Sequence, residues 1–266
     1  MKISERNWKS KEIHHHYNKL KYVGKNLYIN RFDNFFTTNK IISFINSKKV
    51  SLLDVGIGQA NFYRYLSFKK FKIDYTGADI NPYFVEKSKI LFPNVKFKLT
   101  DEELKQNLEN EYDFVYSRGV STHQSDPLKF LNKIIDKAKK GCVFDINTRD
   151  LGSTVYDTEK SCQYISETWV PHIVLNFDEL INFLNSNSKL KNAKIEINKN
   201  YKILGGQGSR YLPKEMYENK TKCAQTSISI DFESRKKEII YSYDKESMRK
   251  NFKYFKALLL DSLFRK

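Results

Sequence analysis

Leu52-Leu53-Asp54-Val55-Gly56-Ile57-Gly58-Gln59-Ala60-Asn61 is the stretch that decides how this chain folds. Val50 to Val55 is a short apolar run broken by one acid and reads as a buried strand. Two glycines one residue apart let the backbone turn tightly and leave it bare toward a ligand. Gln59 to Phe68 then reads as a helix, whose first N–H groups have no partner within the helix. About 20 residues further on, the next strand ends in Asp79, placed to accept from both hydroxyls of a ribose.

Outward from this stretch, short apolar runs alternate with amphipathic ones. Tyr75 to Ile80 reads as a second strand and Pro82 to Phe92 as a helix, with Asn81 as N-cap and Pro82 at its first position. Val95 to Leu99 is a third strand, Glu102 to Glu109 a short helix, and Tyr112 to Ser117 a fourth strand. Asp126 caps a helix that runs to Lys140, Gly141 ends it, and Cys142 to Ile146 is a fifth strand. Such regular alternation implies crossover units and a mostly parallel sheet. Beyond it, residues 148–175 form a long connection, Asn176 opens a helix to about Asn187, and Ala193 to Leu204 alternates like a strand. Thr226 to Phe232 and Glu238 to Tyr243 are expected to pair as a hairpin, and Ser247 to Phe264 to close the chain as a helix. Long irregular stretches in a compact domain are often lids or binding loops.

Composition bounds the answer without naming it. At 266 residues, with 40% hydrophobic and 29% charged positions, the chain has enough apolar material for one well-buried α/β domain. No apolar run approaches the roughly 18 residues of a membrane span. The N-terminus, MKISERNWKSKEIHHHYNK, is polar throughout and lacks the apolar region of a signal peptide, so a cytoplasmic location is expected. Cys142, Cys162 and Cys223 are too far apart for a C-x-x-C metal pair, and no metal site is expected. The net charge of +16 raises nucleic acid as a partner. Its lysines, however, are scattered singly among abundant Asn, Ile, Phe and Tyr, or fall at element ends where solvated charge is ordinary. Charge is the only support for a nucleic-acid substrate.

A nicotinamide-binding fold is the obvious rival. The third glycine of G-x-G-x-x-G falls on Asn61, and Asp54 stands before the first glycine, an odd place for an acid beside a pyrophosphate. A ligand carrying an ammonium and a sulfonium suits a nearby carboxylate better. Leu52-Leu53-Asp54-Val55-Gly56-Ile57-Gly58 resembles the first motif of class I S-adenosylmethionine-dependent methyltransferases. Thr76-Gly77-Ala78-Asp79-Ile80-Asn81-Pro82 resembles their second motif, and Phe97-Lys98-Leu99-Thr100-Asp101 their third. Tyr112-Asp113-Phe114-Val115-Tyr116-Ser117 resembles their fourth strand. One departure is Ala60, where a further glycine is usual.

The resemblance covers about residues 50–147 and implies S-adenosylmethionine as cofactor. It assigns Asp54, Gly56 and Gly58 to the cofactor loop, Asp79 to the ribose, Ile80 and Asp101 to the adenine, and Ser117 to the methionine moiety. It implies a Rossmann-like, doubly wound, seven-stranded, mostly parallel sheet within a single domain over 1–266. In that domain a helical N-terminal cap occupies 1–45, the cofactor-binding core 50–147, and two acceptor-site insertions 148–175 and 204–225.

Methyl transfer needs acceptor and cofactor held in line, and a base if the acceptor is a hydroxyl. Arg118-Gly119-Val120-Ser121-Thr122-His123-Gln124-Ser125-Asp126-Pro127 resembles the G-V-L-H-H-x-x-D-P loop of small-molecule methyltransferases, with His123 on the second histidine. An imidazole can serve as base near neutrality, or brace the loop. His14, His15 and His16 could cap the site or form a solvated helix face. Asp145 and Asn147 resemble the acid–amide pair of catechol-type enzymes, but the rest of that metal site is unmatched. Arg149, Arg210 and Tyr211, the last two beside Gly205-Gly206-Gln207-Gly208, could grip an anionic acceptor.

The (Asn/Asp)-Pro-Pro-(Tyr/Phe) motif of nucleic-acid amino-methylating enzymes is replaced by Ser117-Arg118-Gly119-Val120, and no Pro-Cys nucleophile occurs. A small-molecule O- or N-methyltransferase is expected, with insertions similar to those of bacterial sugar and polysaccharide tailoring enzymes. An RNA methyltransferase and a non-catalytic cofactor-binding subunit are the alternatives. Oligomeric state is not readable from the sequence.

Overall fold

The computed structural model describes residues 3–18, 25–46, 49–165, 167–204, 210–216, 221–234 and 236–243. The helix expected over Ser247 to Phe264 and the Gly205-Gly206-Gln207-Gly208 loop lie outside the described residues, as do the side chains of His15 and His16.

A 3-10 turn at Glu5–Lys9 leads into helices α1 (Lys11–Asn18), α2 (Lys25–Asp33) and α3 (Phe36–Ile45). The regular part follows as β1 (Ser51–Val55), α4 (Asn61–Phe68), β2 (Asp74–Asp79), α5 (Pro82–Leu91), β3 (Lys96–Leu99), β4 (Tyr112–Ser117), α6 (Pro127–Lys137) and β5 (Ala138–Arg149). Then come β6 (Cys162–Ile165), β7 (Thr168–Pro171), β8 (Leu175–Asn176), α7 (Phe177–Ser186), β9 (Lys194–Tyr201), β10 (Arg210–Tyr211), β11 (Cys223–Asp231) and β12 (Glu238–Tyr243). The caps read from sequence are made: Asn81 Oδ1 accepts from Tyr83 N–H at 2.9 Å, and Asp126 Oδ1 from Lys129 N–H at 3.0 Å.

Among the described residues the main sheet runs in the order β12-β9-β11-β5-β4-β1-β2-β3, with β8 beside the end of β5, nine strands in all. β1 to β5 are parallel to one another, whereas β11 runs antiparallel to β5 and β9. The chain moves outward from β1 to β3 and then returns to the other side of β1 as β4. The carboxyl ends of β1 and β4 therefore flank the point where strand order reverses, and ligands of open α/β sheets bind in such crevices.

Strand alternation feeds two cores, one on each face. Leu53, Val55 and Val115 pack with Phe130, Leu131, Ile134 and Ile135 of α6 and Leu180 and Leu184 of α7. Leu52, Phe114 and Tyr116 pack on the opposite face with Phe32, Ile41, Ile45, Phe62 and Leu66 of the N-terminal helices and α4. Each fully buried Leu, Ile or Phe contributes about 1.5–3 kcal/mol, so these faces hold the sheet in register.

Four expectations are corrected. The main sheet has nine strands where the resemblance implies seven, and β8 lies in the stretch read as a connection. β11 and β12 are not a hairpin: β9 lies between them, paired antiparallel to β11 and parallel to β12. Ile195 and Ile197 of β9 are fully buried, and that burial outweighs the local turn. Residues 102–109 form turns rather than a helix, because Asp101 Oδ1 accepts from Lys105 N–H at 2.8 Å and Gln106 N–H at 3.2 Å. Finally α6 stops at Lys137 and β5 starts at Ala138, so Gly141 lies within the strand, where a Cβ would sit 2.5 Å from the Ile230 carbonyl oxygen.

The two stretches read as irregular meet each other. Arg210 and Tyr211 of β10 pair with Gln163 and Cys162 of β6, and β6 with β7, making a second, three-stranded sheet. No helix among the described residues is long and apolar enough to cross a membrane.

Candidate functional site

A cavity of about 350 Å³ opens at the carboxyl ends of β1, β2 and β4, within the size range of small-molecule sites. Asp54, Gly56, Gly58, Asp79, Ile80, Asp101 and His123 all line it. Local backbone chemistry explains the loop after β1. Gly56 has φ +78°, and a Cβ there would lie 2.2 Å from Val120 Cγ2, so the loops after β1 and β4 touch only because this residue is glycine. A Cβ built on Gly58 would meet nothing within 4 Å, so this residue presents bare backbone to the cavity. Ala60, the position that departs from the family pattern, keeps the left-handed conformation at φ +52° as N-cap of α4.

Asp79 is tied at both oxygens, with Gly58 N–H donating to Oδ2 at 3.0 Å and Asn81 N–H to Oδ1 at 2.9 Å. A carboxylate has about four lone-pair sites, so acceptor capacity remains for a diol. Burial pushes its pKa up to about 6, against the pull of these N–H donors. Asp54 is deeper: burial raises it to about 7, although the Tyr75 hydroxyl donates to its Oδ2 at 2.5 Å. Asp101 stands below the ordinary carboxylate range; burial raises it, and the N–H groups of Lys105 and Gln106 outweigh that effect.

His123 sits on a one-turn segment after β4. Its Nδ1 is 2.8 Å from the carbonyl oxygen of Pro171, and the Trp8 ring lies 4.7 Å away. A carbonyl only accepts, so Nδ1 carries the proton in the neutral ring and Nε2 holds the lone pair. Burial, with the nearby Arg210 charge, lowers the pKa to about 4, against the raising effect of the Pro171 bond. The ring is neutral at pH 7. His172 packs edge-on at 5.4 Å.

Several residues depart from expectation. Ser117 does not line the cavity: strand phase turns it away, fully buried, and its Oγ donates to the Val55 carbonyl at 3.2 Å. Its neighbours Tyr116, Arg118 and Gly119 line the cavity instead. Arg149 is 3% exposed and away from the cavity wall, with Nε donating to Leu151 O at 2.7 Å and Nη2 3.2 Å from Glu215 Oε1. It ties the two insertions together. Tyr211 is exposed on β10. Arg210 is partly buried, and its charge reaches His123 and His172. Asp145 and Asn147 do not depart from the favoured reading and make strand-end hydrogen bonds: Asp145 accepts from Gly119 N–H at 2.6 Å, and Asn147 Nδ2 reaches His172 Nε2 at 3.3 Å. His14 packs against Tyr83 and Phe84.

Sequence reasoning missed Glu5 and Trp8, which bring the N-terminal turn over the cavity, as well as Thr100 and Arg118. The turn is held by Asn81 Nδ2 donating to Trp8 O at 2.7 Å and by Asn7 Nδ2 donating to Trp169 O at 2.8 Å. Arg118 lies 3.5 Å over the Phe35 ring. No local pattern announces Trp8, but Arg118 stands in the loop already singled out.

A cofactor with a ribose, an adenine and an amino-acid end fits these residues. Trp8 Nε1 and Thr100 Oγ1, both on the cavity wall, are buried with no hydrogen-bond partner, a costly state unless a ligand supplies one. Asp79 would hold the diol, Ile80 and Asp101 the base, and Asp54 with the bare Gly56–Gly58 backbone the cationic end.

This fold and pocket define a class I methyltransferase. A model of the family described as "Methyltransferase domain" matches residues 29–192. That is more than half of the chain, which belongs to this family of S-adenosylmethionine-dependent enzymes. Among solved structures the chain is similar to magnesium protoporphyrin IX methyltransferase from Synechocystis PCC 6803 with bound SAH. The identity is 10% over 85% of this chain and 97% of that one, with a TM-score of 0.51. It is also similar to a putative methyltransferase from Bacillus halodurans C-125, at 13% identity over 72% and 96% of the two chains and a TM-score of 0.48. The match to a putative sarcosine dimethylglycine methyltransferase from Galdieria sulphuraria spans about half of either chain, 46% of this one and 49% of that one. Its identity is 20% and its TM-score 0.40. At these identities the likeness is one of fold. No curated protein sequence matches the chain.

Proposed function

We propose that this enzyme methylates the hydroxyl of a small anionic acceptor, with His123 as general base. The observation that carries the reading is the bond between His123 Nδ1 and the Pro171 carbonyl, because it leaves Nε2 as the lone-pair nitrogen of a ring on the cavity wall. S-adenosylmethionine supplies an activated methyl group on a sulfonium. The protein's part is positional and electrostatic. The loop after β1 and Asp79 fix the donor, the N-terminal turn carrying Trp8 excludes water, and Nε2 takes the acceptor proton. The bond from Pro171 at the end of β7 to His123 supports a role for the sheet of β6, β7 and β10 in holding the acceptor.

Within this class a sugar, a nucleotide sugar or a phosphorylated intermediate of polysaccharide tailoring is the acceptor we favour. The cationic residues beyond His123 support it. The test is methyl transfer from a radiolabelled donor to matched acceptors with and without phosphate. Labelling of the phosphorylated member is expected, and equal efficiency with both members rules the anionic acceptor out.

A further inference from the structure

Beyond His123, at the carboxyl ends of β4 and β5, the chain gathers cations around one buried acid. Asp145 is the central acid, and its oxygens are already engaged. Gly119 N–H donates to Oδ1 at 2.6 Å, Gln225 Nε2 donates to Oδ2 at 2.7 Å, and Arg118 Nε lies 3.8 Å from Oδ2. On the other side of Gln225, its Oε1 accepts from Lys202 Nζ at 3.2 Å. Arg210 approaches from β10, with Nη1 donating to Leu204 O at 3.4 Å. Among the described residues, Asp150 is engaged by Lys199 and Tyr201, Glu215 by Arg149, and Glu5 by Ser125.

A neutral group completes the cluster. Asn147 Nδ2 donates to Thr122 Oγ1 at 3.4 Å and to His172 Nε2 at 3.3 Å, which places the ring proton of His172 on Nδ1. That nitrogen is buried with no partner, in a residue 1% exposed. The segment is firmly placed: Ser161 Oγ donates to His172 O at 2.8 Å, and Ile173 N–H to Thr122 O at 2.7 Å. An unsatisfied buried donor beside partly desolvated cations is expensive unless an acceptor-only group arrives there.

We propose that Lys202, braced by Gln225 on Asp145, forms with Arg210 and His172 Nδ1–H an oxyanion subsite for the methyl acceptor. The proposal rests on the reading of His123 as the base for a small acceptor, and it names the group by which that acceptor is held. Two further features agree. Burial and the Arg210 charge both hold Lys202 below the ordinary ammonium range. The positive charge of Arg210 acts on both histidines, with Lys202 adding to it at His172. An anion seated between them relieves this repulsion and raises the basicity of His123, so acceptor binding would ready its own base.

The test uses the full chain loaded with S-adenosylhomocysteine. The ring resonances of His123 and His172 are followed by NMR while inorganic phosphate, or separately acetate, is titrated in. Saturable shifts of both rings are expected, with the His123 pKa rising. Lys202→Met and Arg210→Met should each weaken phosphate binding about tenfold or more, Lys202→Arg should retain it, and S-adenosylhomocysteine affinity should stay within about twofold. Response to phosphate alone would mark a phosphoryl group, and equal response to acetate a carboxylate. Absence of any saturable shift, or phosphate binding unchanged in both methionine variants, overturns the subsite. The base assignment fails separately, through normal turnover in His123→Gln.

Discussion

His123 donates its Nδ1 proton to the carbonyl oxygen of Pro171 across 2.8 Å, and this bond joins the loop after β4 to the end of β7. It fixes both the tautomer and the tilt of the ring, so Nε2 is the nitrogen left to accept a proton.

His123→Gln should therefore cut turnover by about 10²–10⁴-fold and leave S-adenosylhomocysteine affinity nearly unchanged. The folded-state pKa of about 4 sets the pH dependence. The base form persists well below neutrality, so with the donor saturating, and Asp54 and Asp79 thus already charged, the acidic limb of kcat/KM for the acceptor should lie near pH 4 rather than near 6.5. A limb at 6.5 in the wild type would show that His123 is not shielded as described.

Asp54 and Asp79 bear on stability and binding with opposite signs. Their folded-state values, about 7 and about 6, exceed the ordinary carboxylate value. Between about pH 4 and 7 the folded protein holds protons that the unfolded chain has released, so ionisation there costs the ligand-free protein stability. His123, with its pKa lowered, contributes in the other direction between about pH 4 and 6.5. Comparing Asp54→Asn with wild type isolates the acid. The Tm of the variant should fall less from pH 5 to pH 8, and parallel curves would exclude a buried ionising Asp54. Affinity for S-adenosylhomocysteine should rise over the same window, as the carboxylates charge.

Removing Asp79 tests the ribose contact directly. Asp79→Ala should weaken S-adenosylhomocysteine binding by about 2–3 kcal/mol, since charge-assisted hydrogen bonds are lost. Calorimetry on a folded variant with undiminished affinity would refute the assignment.

Gly56→Ala places a methyl group 2.2 Å from Val120 Cγ2 at a backbone φ of +78°. A loss of about 1–3 kcal/mol in stability is expected, together with weaker cofactor binding. Val120→Ala in the same chain should recover part of both, because it removes the collision but not the strained φ. No recovery in a double-mutant cycle would mean that the two loops do not meet as described.

Arg149 makes a contrasting case. With its guanidinium held by Leu151 O and Glu215, Arg149→Met should lower stability by about 1–3 kcal/mol in chemical denaturation and leave the acceptor KM within about twofold. A tenfold rise in KM without a loss of stability would return Arg149 to the acceptor site.

What the sequence by itself determined is the part written in short range. Glycine spacing, the capping residues Asn81 and Asp126, and the acid ending β2 are local chemistry. They placed the cofactor loop, Asp79 and the alternating elements before any contact was known, and the left-handed Ala60 shows that loop geometry holding even where the residue departs from the pattern. Tertiary structure decided what depends on burial and on partners distant in the chain. Strand phase puts Tyr116 and not Ser117 toward the cavity, and burial of Ile195 and Ile197 drives β9 between β11 and β12. Pairing of β10 with β6 carries Arg210 to the histidines and leaves Tyr211 in solvent, while the N-terminal turn lays Trp8 on His123. Such contacts join residues up to about 160 positions apart, as with Asn7 and Trp169, and a one-dimensional pattern carries no record of which distant surfaces will exclude water together.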